Sequence, residues 1–181
     1  MMQDPLVLGI DLGTSGVRIA VIDSSCALLQ SESALYQIGL INPLDWRERC
    51  CTLIGRLKPD YRLRLKAIAV DGTSGTLLAC DQQGLPLAEA LPYSFACPNY
   101  VDQIQALSPQ GGPASSASGS LARALHLFEQ NKAPLLLRHQ ADWISGWLLE
   151  NWSYGEEGNN LRLGWDPVSY THLTLPTKDS V

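Results

Sequence analysis

No stretch of this chain approaches the roughly 20 consecutive apolar residues that a helix needs to cross a bilayer. No run of lysine or arginine offers a series of cations to a polyanion either: 13 basic and 18 acidic residues are scattered, leaving a formal net charge of -5. Binding along a nucleic acid or an anionic membrane surface is therefore a poor reading. Cysteine is scarce and without pattern, since Cys26, Cys50, Cys51, Cys80 and Cys97 make an odd number with no C-x-x-C spacing. That argues against a disulfide framework and for a reduced, cytoplasmic protein. Met1-Met2-Gln3-Asp4-Pro5 lacks the basic-then-apolar order of a signal peptide. His126, His139 and His172 stand too far apart to suggest a structural zinc site. What the chain does have, over 181 residues with 45% hydrophobic and 17% charged, is enough apolar material for one well-packed domain.

The apolar run Leu6 to Ile10 ends in Asp11-Leu12-Gly13-Thr14-Ser15-Gly16, and a second run, Val17 to Ile22, follows at once. This predicts strand, tight turn, strand. A third strand is expected within Ala27 to Ile38, after a turn at Asp23-Ser24-Ser25. Leu44, Cys51, Leu53 and Ile54 recur at helical spacing between Pro43 and Leu57, with Lys58-Pro59 as the stop, so a crossover helix is expected there. It leads to Leu65 to Val70, which reads as a buried strand ending in a second polar turn, Asp71-Gly72-Thr73-Ser74-Gly75. Thr76 to Cys80 and Leu85 to Leu91, joined by Asp81-Gln82-Gln83-Gly84, predict a hairpin. Ser108 to Ser120 is a Gly/Pro/Ser-rich loop, with Ser120 as cap of a helix whose apolar face is Leu121, Leu125 and Phe128. A second helix is expected over about Gln140 to Trp152. Residues 169 to 181 change character and continue neither pattern, so they are set apart as an artefactual tail.

The two polar turns are where chemistry is expected. A phosphate chain needs donors that converge without side chains in the way, and Gly13 and Gly16 allow the backbone N–H groups that approach. Thr14 and Ser15 add hydroxyls, and Arg18 can offer a guanidinium to the same phosphates. Asp11, at the carboxyl end of the first strand, is placed to hold a water of a Mg²⁺ ion bridging those phosphates. Neither a G-x-x-x-x-G-K-[ST] P-loop nor a G-x-G-x-x-G dinucleotide fingerprint is present. Each turn alone reads equally as a glycine-containing bend between strands.

The string Gly9-Ile10-Asp11-Leu12-Gly13-Thr14-Ser15-Gly16-Val17-Arg18 between apolar strands resembles the first phosphate motif of the actin, Hsp70 and sugar kinase superfamily. The second turn, Ile68 to Thr76, with Cys80-Asp81 and Gly84-Leu85-Pro86-Leu87 after it, resembles the FGGY carbohydrate kinases, in the wording of the plant and cyanobacterial D-ribulose or D-xylulose kinase-like branch. A third likeness covers Gln140 to Leu148 and Glu156 to Asp166, in which Asp142 reads equally as a carboxylate favoured by a helix N-terminus.

The resemblance spans residues 5 to 168 and implies an α/β, ribonuclease H-like domain with a mixed sheet, the N-terminal half of a two-domain, ATP-dependent kinase. It implies ATP and Mg²⁺ as cofactors, nucleotide contacts from Gly13, Thr14, Ser15, Gly16 and Arg18, and sugar contacts from Asp71, Gly72, Thr73 and Ser74. It places the general-base aspartate, the adenosine-binding half and the second phosphate motif downstream of these segments, so residues 1 to 181 alone are expected to be inactive. Pro92-Tyr93-Ser94-Phe95-Ala96-Cys97-Pro98 departs from the family's aromatic-Asn-Asp-x-Arg sugar segment, and Glu156 stands where relatives carry Asp. A small pentulose is the substrate the motifs favour. The other readings are an actin- or Hsp70-like ATPase without a sugar, and a sugar-binding domain without catalysis.

Overall fold

In Leu6-Val7-Leu8-Gly9-Ile10-Asp11-Leu12 every second side chain is a large aliphatic one, so a single strand can bury one face completely. The structure is a computed structural model that describes residues 4–107, 114–131, 134–166 and 171–172. The antiparallel meander expected from the sequence is present as β1 (Leu6–Leu12), β2 (Gly16–Ile22) and β3 (Leu28–Leu35). A later strand, β4 (Leu65–Gly72), adds to β1 in parallel and gives a mixed sheet of order β3-β2-β1-β4.

Leu6, Leu8, Ile10 and Leu12 of β1 join Val17, Ile19 and Val21 of β2 on one buried face. Two helices cover it: α1 (Pro43–Arg56), which crosses from β3 to the far side of the sheet, and the later α5 (Gln140–Leu149). Asn42 caps α1 by accepting a hydrogen bond from the Asp45 N–H at 3.0 Å, and Pro43 supplies a helical φ at no cost in hydrogen bonds. Periodicity singles out Leu44, Cys51, Leu53 and Ile54, but the helix is turned so that Trp46, Cys50 and Leu53 are buried while Leu44 and Cys51 face solvent. The largest side chain decides: Trp46, Cys50, Leu53 and Leu57 follow helical spacing from the tryptophan, and burying that ring outweighs burying one leucine.

Beyond the Lys58-Pro59 stop a short helix, α2 (Pro59–Arg64), restarts on the proline and carries an Arg64–Asp60 ion pair at 3.1 Å. The strand after it, β4, is expected to be buried and is instead largely exposed at Ala67, Ile68 and Ala69. It is an edge strand, with β1 as its neighbour in the sheet and α5 against one side.

The predicted hairpin of Thr76 to Leu91 is reduced to two isolated bridges, Leu77 to Leu91 and Cys80 to Pro86. Pro86 has no N–H to donate to a ladder, and the main partner of β5 (Leu77–Cys80) is β6 (Leu136–His139). A 3-10 turn at Pro98–Tyr100 runs into α3 (Val101–Leu107), and α4 (Ser120–Gln130) follows. Gly119, rather than Ser120, is the N-cap of α4, and the Ser120 hydroxyl turns inward to His139 Nε2 at 3.0 Å. Leu121, Ala124 and Leu127 form the buried stripe of α4, whereas Phe128 is half exposed. α5 ends at Glu150 in the left-handed region, short of Trp152. α6 (Glu157–Leu161) precedes a two-residue pairing of β7 (Trp165–Asp166) with β8 (Thr171–His172). The tail set apart from the fold thus contributes one short strand, and its other residues, like 108–113 of the Gly/Pro/Ser-rich loop, lie outside the described residues.

Cys50, Cys80 and Cys97 are buried, and burial pushes the Cys50 thiol up to about 12 and the Cys80 thiol up to about 11. Cys26 and Cys51 are exposed. Native protein treated with iodoacetamide near pH 8 is therefore expected to take up two labels, at Cys26 and Cys51, and five only after denaturation. Labelling of Cys50 as fast as its neighbour Cys51, read by peptide mass spectrometry, would contradict the packing of α1 on the sheet.

Candidate functional site

The parallel pairing of β1 with β4 sets Asp11 opposite Asp71 in register. The strand-end carboxylates that the sequence singles out therefore stand side by side at the carboxyl edge of the sheet, and both are exposed. Three concavities meet there. A shallow groove of about 410 Å³ is lined by Asp11 and Asp71 together with Gly9, Arg18 and Ala69. A second, of about 420 Å³, runs from Asp11 and Arg18 over Gly13, Thr14 and Ser15. A third, of about 460 Å³, runs from Asp71 over Thr73 and Ser74 to Asp142, Glu156 and Asn159. All ten residues proposed from the sequence lie along this one edge, with the aspartates where the middle groove joins the outer two.

The first turn is a two-residue hairpin loop closed by Gly13 N–H donating to the Gly16 carbonyl at 2.9 Å. Arg18 pairs across the strands with Asp11, which puts both charges on the face opposite the core. Gly13 has the open surroundings expected of a residue that lets a ligand approach, its hypothetical Cβ meeting only the Gly16 oxygen at 3.6 Å. Gly16 has a reason inside the chain: a Cβ there would overlap the Ala34 carbonyl oxygen and come within 2.9 Å of the Leu35 Cα. The close approach of β3 thus explains Gly16 without a ligand.

The second turn packs on the start of α5, where a Cβ at Gly72 would lie 3.1 Å from the Ala141 nitrogen. Gly75 adopts φ +88°, a left-handed conformation that favours glycine. The Asp71 carboxylate accepts the Gly72 N–H at 2.8 Å, which orients it along the edge. Thr73 lines the third concavity, but its N–H donates to Gln140 Oε1 at 2.9 Å and its hydroxyl to the same oxygen at 2.6 Å. The Thr73 hydroxyl is committed internally, leaving Asp71 and Ser74 as the outward-facing polar groups of this turn.

Asp142 is held by structure. It accepts the Glu156 N–H at 2.9 Å and the Asn159 side-chain amide at 3.4 Å, and it lies 3.7 Å from His139 Nδ1. Glu156 in turn caps α6, accepting the Gly158 and Asn159 N–H groups at 2.8 Å each. The segment that departs from the family pattern, Pro92 to Pro98, is anchored next to the second turn by Arg123, whose Nη1 donates to the carbonyls of Tyr93, Phe95 and Ser118. Burial lowers the Arg123 pKa, and carbonyl oxygens stand in for a carboxylate partner.

Sequence reasoning misses Gln140 and Tyr36. Burial raises the phenol pKa of Tyr36 far above its ordinary value, so it acts as a neutral hydroxyl, and it bonds both Gln140 and the Gly13 carbonyl. Tyr36 lies in no motif, and Gln140 opens the third likeness without being singled out there. The one hint is a glutamine opening a segment rich in tryptophan.

No protein-family model matches the chain. Among solved structures it is similar to a xylulose kinase from Rhodospirillum rubrum, with TM-score 0.77 and 17% identity over 92% of this chain and 39% of that one. It is similar to the Plasmodium falciparum glycerol kinase with ADP, with TM-score 0.75 and 14% identity over 93% of this chain and 39% of that one. A xylulose kinase from Bifidobacterium adolescentis matches with TM-score 0.68 and 17% identity over 93% of this chain and 41% of that one. The chain thus spans about two fifths of the length of these kinases, between 39% and 41%. These solved structures are carbohydrate kinases of the FGGY type, the family its two turns resemble, and what the chain shares with them is an α/β fold with a mixed sheet.

Proposed function

We propose that residues 5–168 form the sugar- and phosphate-binding domain of an ATP-dependent sugar kinase, ribonuclease H-like in architecture and cytoplasmic, with 169–181 foreign to it. The observation that carries this reading is the in-register pairing of Asp11 with Asp71. Phosphoryl transfer is mainly positioning and charge stabilisation, so donor and acceptor must lie within contact of each other. Neighbouring strands stand about 4.8 Å apart, so ligands held at the two turns are neighbours in space.

In this reading the Gly13 to Gly16 turn and Arg18 hold nucleotide phosphates, and Asp71 and Ser74 hold the sugar, with Gly72 and Thr73 shaping the turn that presents them. A Mg²⁺ ion suits the site, because two exposed carboxylates flank one groove beside the phosphate turn. Asp11 would hold it through water; when bound, it supplies positive charge against the phosphate oxygens. The resemblance calls for a proton-accepting aspartate outside the matched segments. Xylulose kinases among the similar structures, and the Asp-Gly-Thr-Ser-Gly wording of the second turn, support a pentulose such as D-xylulose or D-ribulose. The same neighbours count against an actin- or Hsp70-like ATPase without a sugar. A binding domain without catalysis would give the same thermal shifts and no ADP release.

Thermal melting with D-ribulose, D-xylulose and glycerol tests the sugar turn. A sugar at about 100 times its Kd stabilises by about 2.7 kcal/mol, which raises Tm by about 5–10 °C for a chain of this size. That rise is expected for one pentulose and is expected to vanish in Asp71→Ala. If no sugar moves the Tm of the unaltered protein, the sugar assignment is wrong.

A further inference from the structure

A hydrogen-bonded chain belonging to neither motif runs between the two turns. The Tyr36 hydroxyl donates to the Gly13 carbonyl at 3.2 Å and accepts from Gln140 Nε2 at 3.2 Å. Gln140 Oε1 then accepts from Thr73, both N–H and hydroxyl, at 2.9 and 2.6 Å. Gln140 is fully buried and opens α5, while the Tyr36 N–H donates to the Ser15 carbonyl at 3.0 Å.

A buried glutamine is often only a satisfied core residue. Here both ends of the chain terminate on turn backbone, at the Gly13 carbonyl and the Thr73 N–H, rather than on the body of the sheet. Its bonds are directional: the amide oxygen faces the second turn because two donors converge on it, which leaves the amide N–H for the phenol, and the phenol proton for Gly13. A shift of the first turn that moves the Gly13 carbonyl must be followed by the phenol, then by the amide, or a bond is lost at the fully buried Gln140. The backbone of Gly72 comes so near α5 that a Cβ there would lie 3.1 Å from the Ala141 nitrogen, which leaves the second turn little freedom to move independently of Gln140.

We propose that Tyr36 and Gln140 are positioning residues that couple the phosphate turn to the sugar turn, so that filling one raises affinity at the other. The inference rests on the kinase reading above. Coupling between two such sites usually amounts to about 5- to 150-fold in affinity and is reciprocal.

Isothermal titration of the full-length protein with the pentulose that shifts its Tm, with and without Mg²⁺ and a non-hydrolysable ATP analogue, reads the coupling directly. In the unaltered protein the sugar is expected to bind at least about 5-fold tighter when the analogue is present, with the reciprocal gain for the analogue. In Tyr36→Phe, which keeps the ring and removes the hydroxyl, the coupling is expected to drop below about 2-fold while each ligand alone binds within about 3-fold of normal. Gln140→Met, similar in length and without polar groups, is expected to do the same and serves if the first variant melts early. Coupling retained in either folded variant overturns the proposal, and so does an equal loss of both affinities with the coupling intact, which is the result of a scaffolding role. Unaltered protein that binds both ligands without coupling sinks this inference alone; unaltered protein that binds neither sinks the kinase reading with it.

Discussion

Replacing Asp11 with alanine is expected to lower sugar-dependent ADP release by the full-length protein about 100- to 1,000-fold, with the KM for sugar changed by less than about 3-fold. The size follows from what a single preorganised charge contributes where phosphoryl charge develops. The selectivity follows from geometry: Asp11 lies near the end of β1 beside the turn proposed for phosphate, and the turn proposed for the sugar belongs to the neighbouring strand. Stability should hardly change, because Asp11 is exposed on the face away from the core, and substitutions of that kind usually stay within about 0.5 kcal/mol, or about 1–2 °C in Tm. Asp11→Asn keeps the shape and removes the charge, so it should resemble the alanine variant. If instead the sugar KM rises and kcat holds, Asp11 belongs to the sugar site and the assignment of the turns is reversed.

Trp46→Ala is expected to cost about 3–5 kcal/mol, the range for deleting a large buried aromatic, and so to lower Tm by about 6–20 °C. Trp46 is fully buried between α1 and the sheet, meets Trp143 edge to face at 6.1 Å and donates its Nε1–H to the Leu40 carbonyl at 3.1 Å. Truncation therefore removes the ring, one half of an aromatic pair and a hydrogen bond together. Leu44→Ala, on the outward side of the same helix, should stay within about 0.5 kcal/mol. Chemical denaturation of the pair measures which face of α1 is the core. Equal losses at Leu44 and Trp46 would favour the face that periodicity alone suggests.

α1 shows how far the sequence is legible. Pro43 at its start, and Pro59 beyond it, bound the helix by local chemistry that a reader can see without coordinates. Its rotation about its own axis is not local, because it depends on which side chain finds a large cavity against β1 and β2. The predicted hairpin beyond Thr76 fails for the same kind of reason: β5 finds a better partner in β6, about sixty residues onward, than in the proline-containing segment next to it. The exposed face of β4 is equally invisible beforehand, since Leu65-Lys66-Ala67-Ile68-Ala69-Val70 has the same apolar look whether a strand is central or at an edge.

The candidate site divides along the same line. The two turns were readable because glycine, small hydroxyl residues and a strand-end carboxylate announce themselves in short strings, where backbone conformation and side-chain chemistry act within a few residues. The sequence by itself determined the meander, the crossover helix and the positions of both turns. Only the tertiary structure decided that Asp11 and Asp71 stand in register, that Gly16 makes room for β3, that the Thr73 hydroxyl faces inward, and that Tyr36 and Gln140 link the turns. Those facts join residues dozens of positions apart. No local preference encodes them, because they arise when strands pair and a helix closes over the sheet.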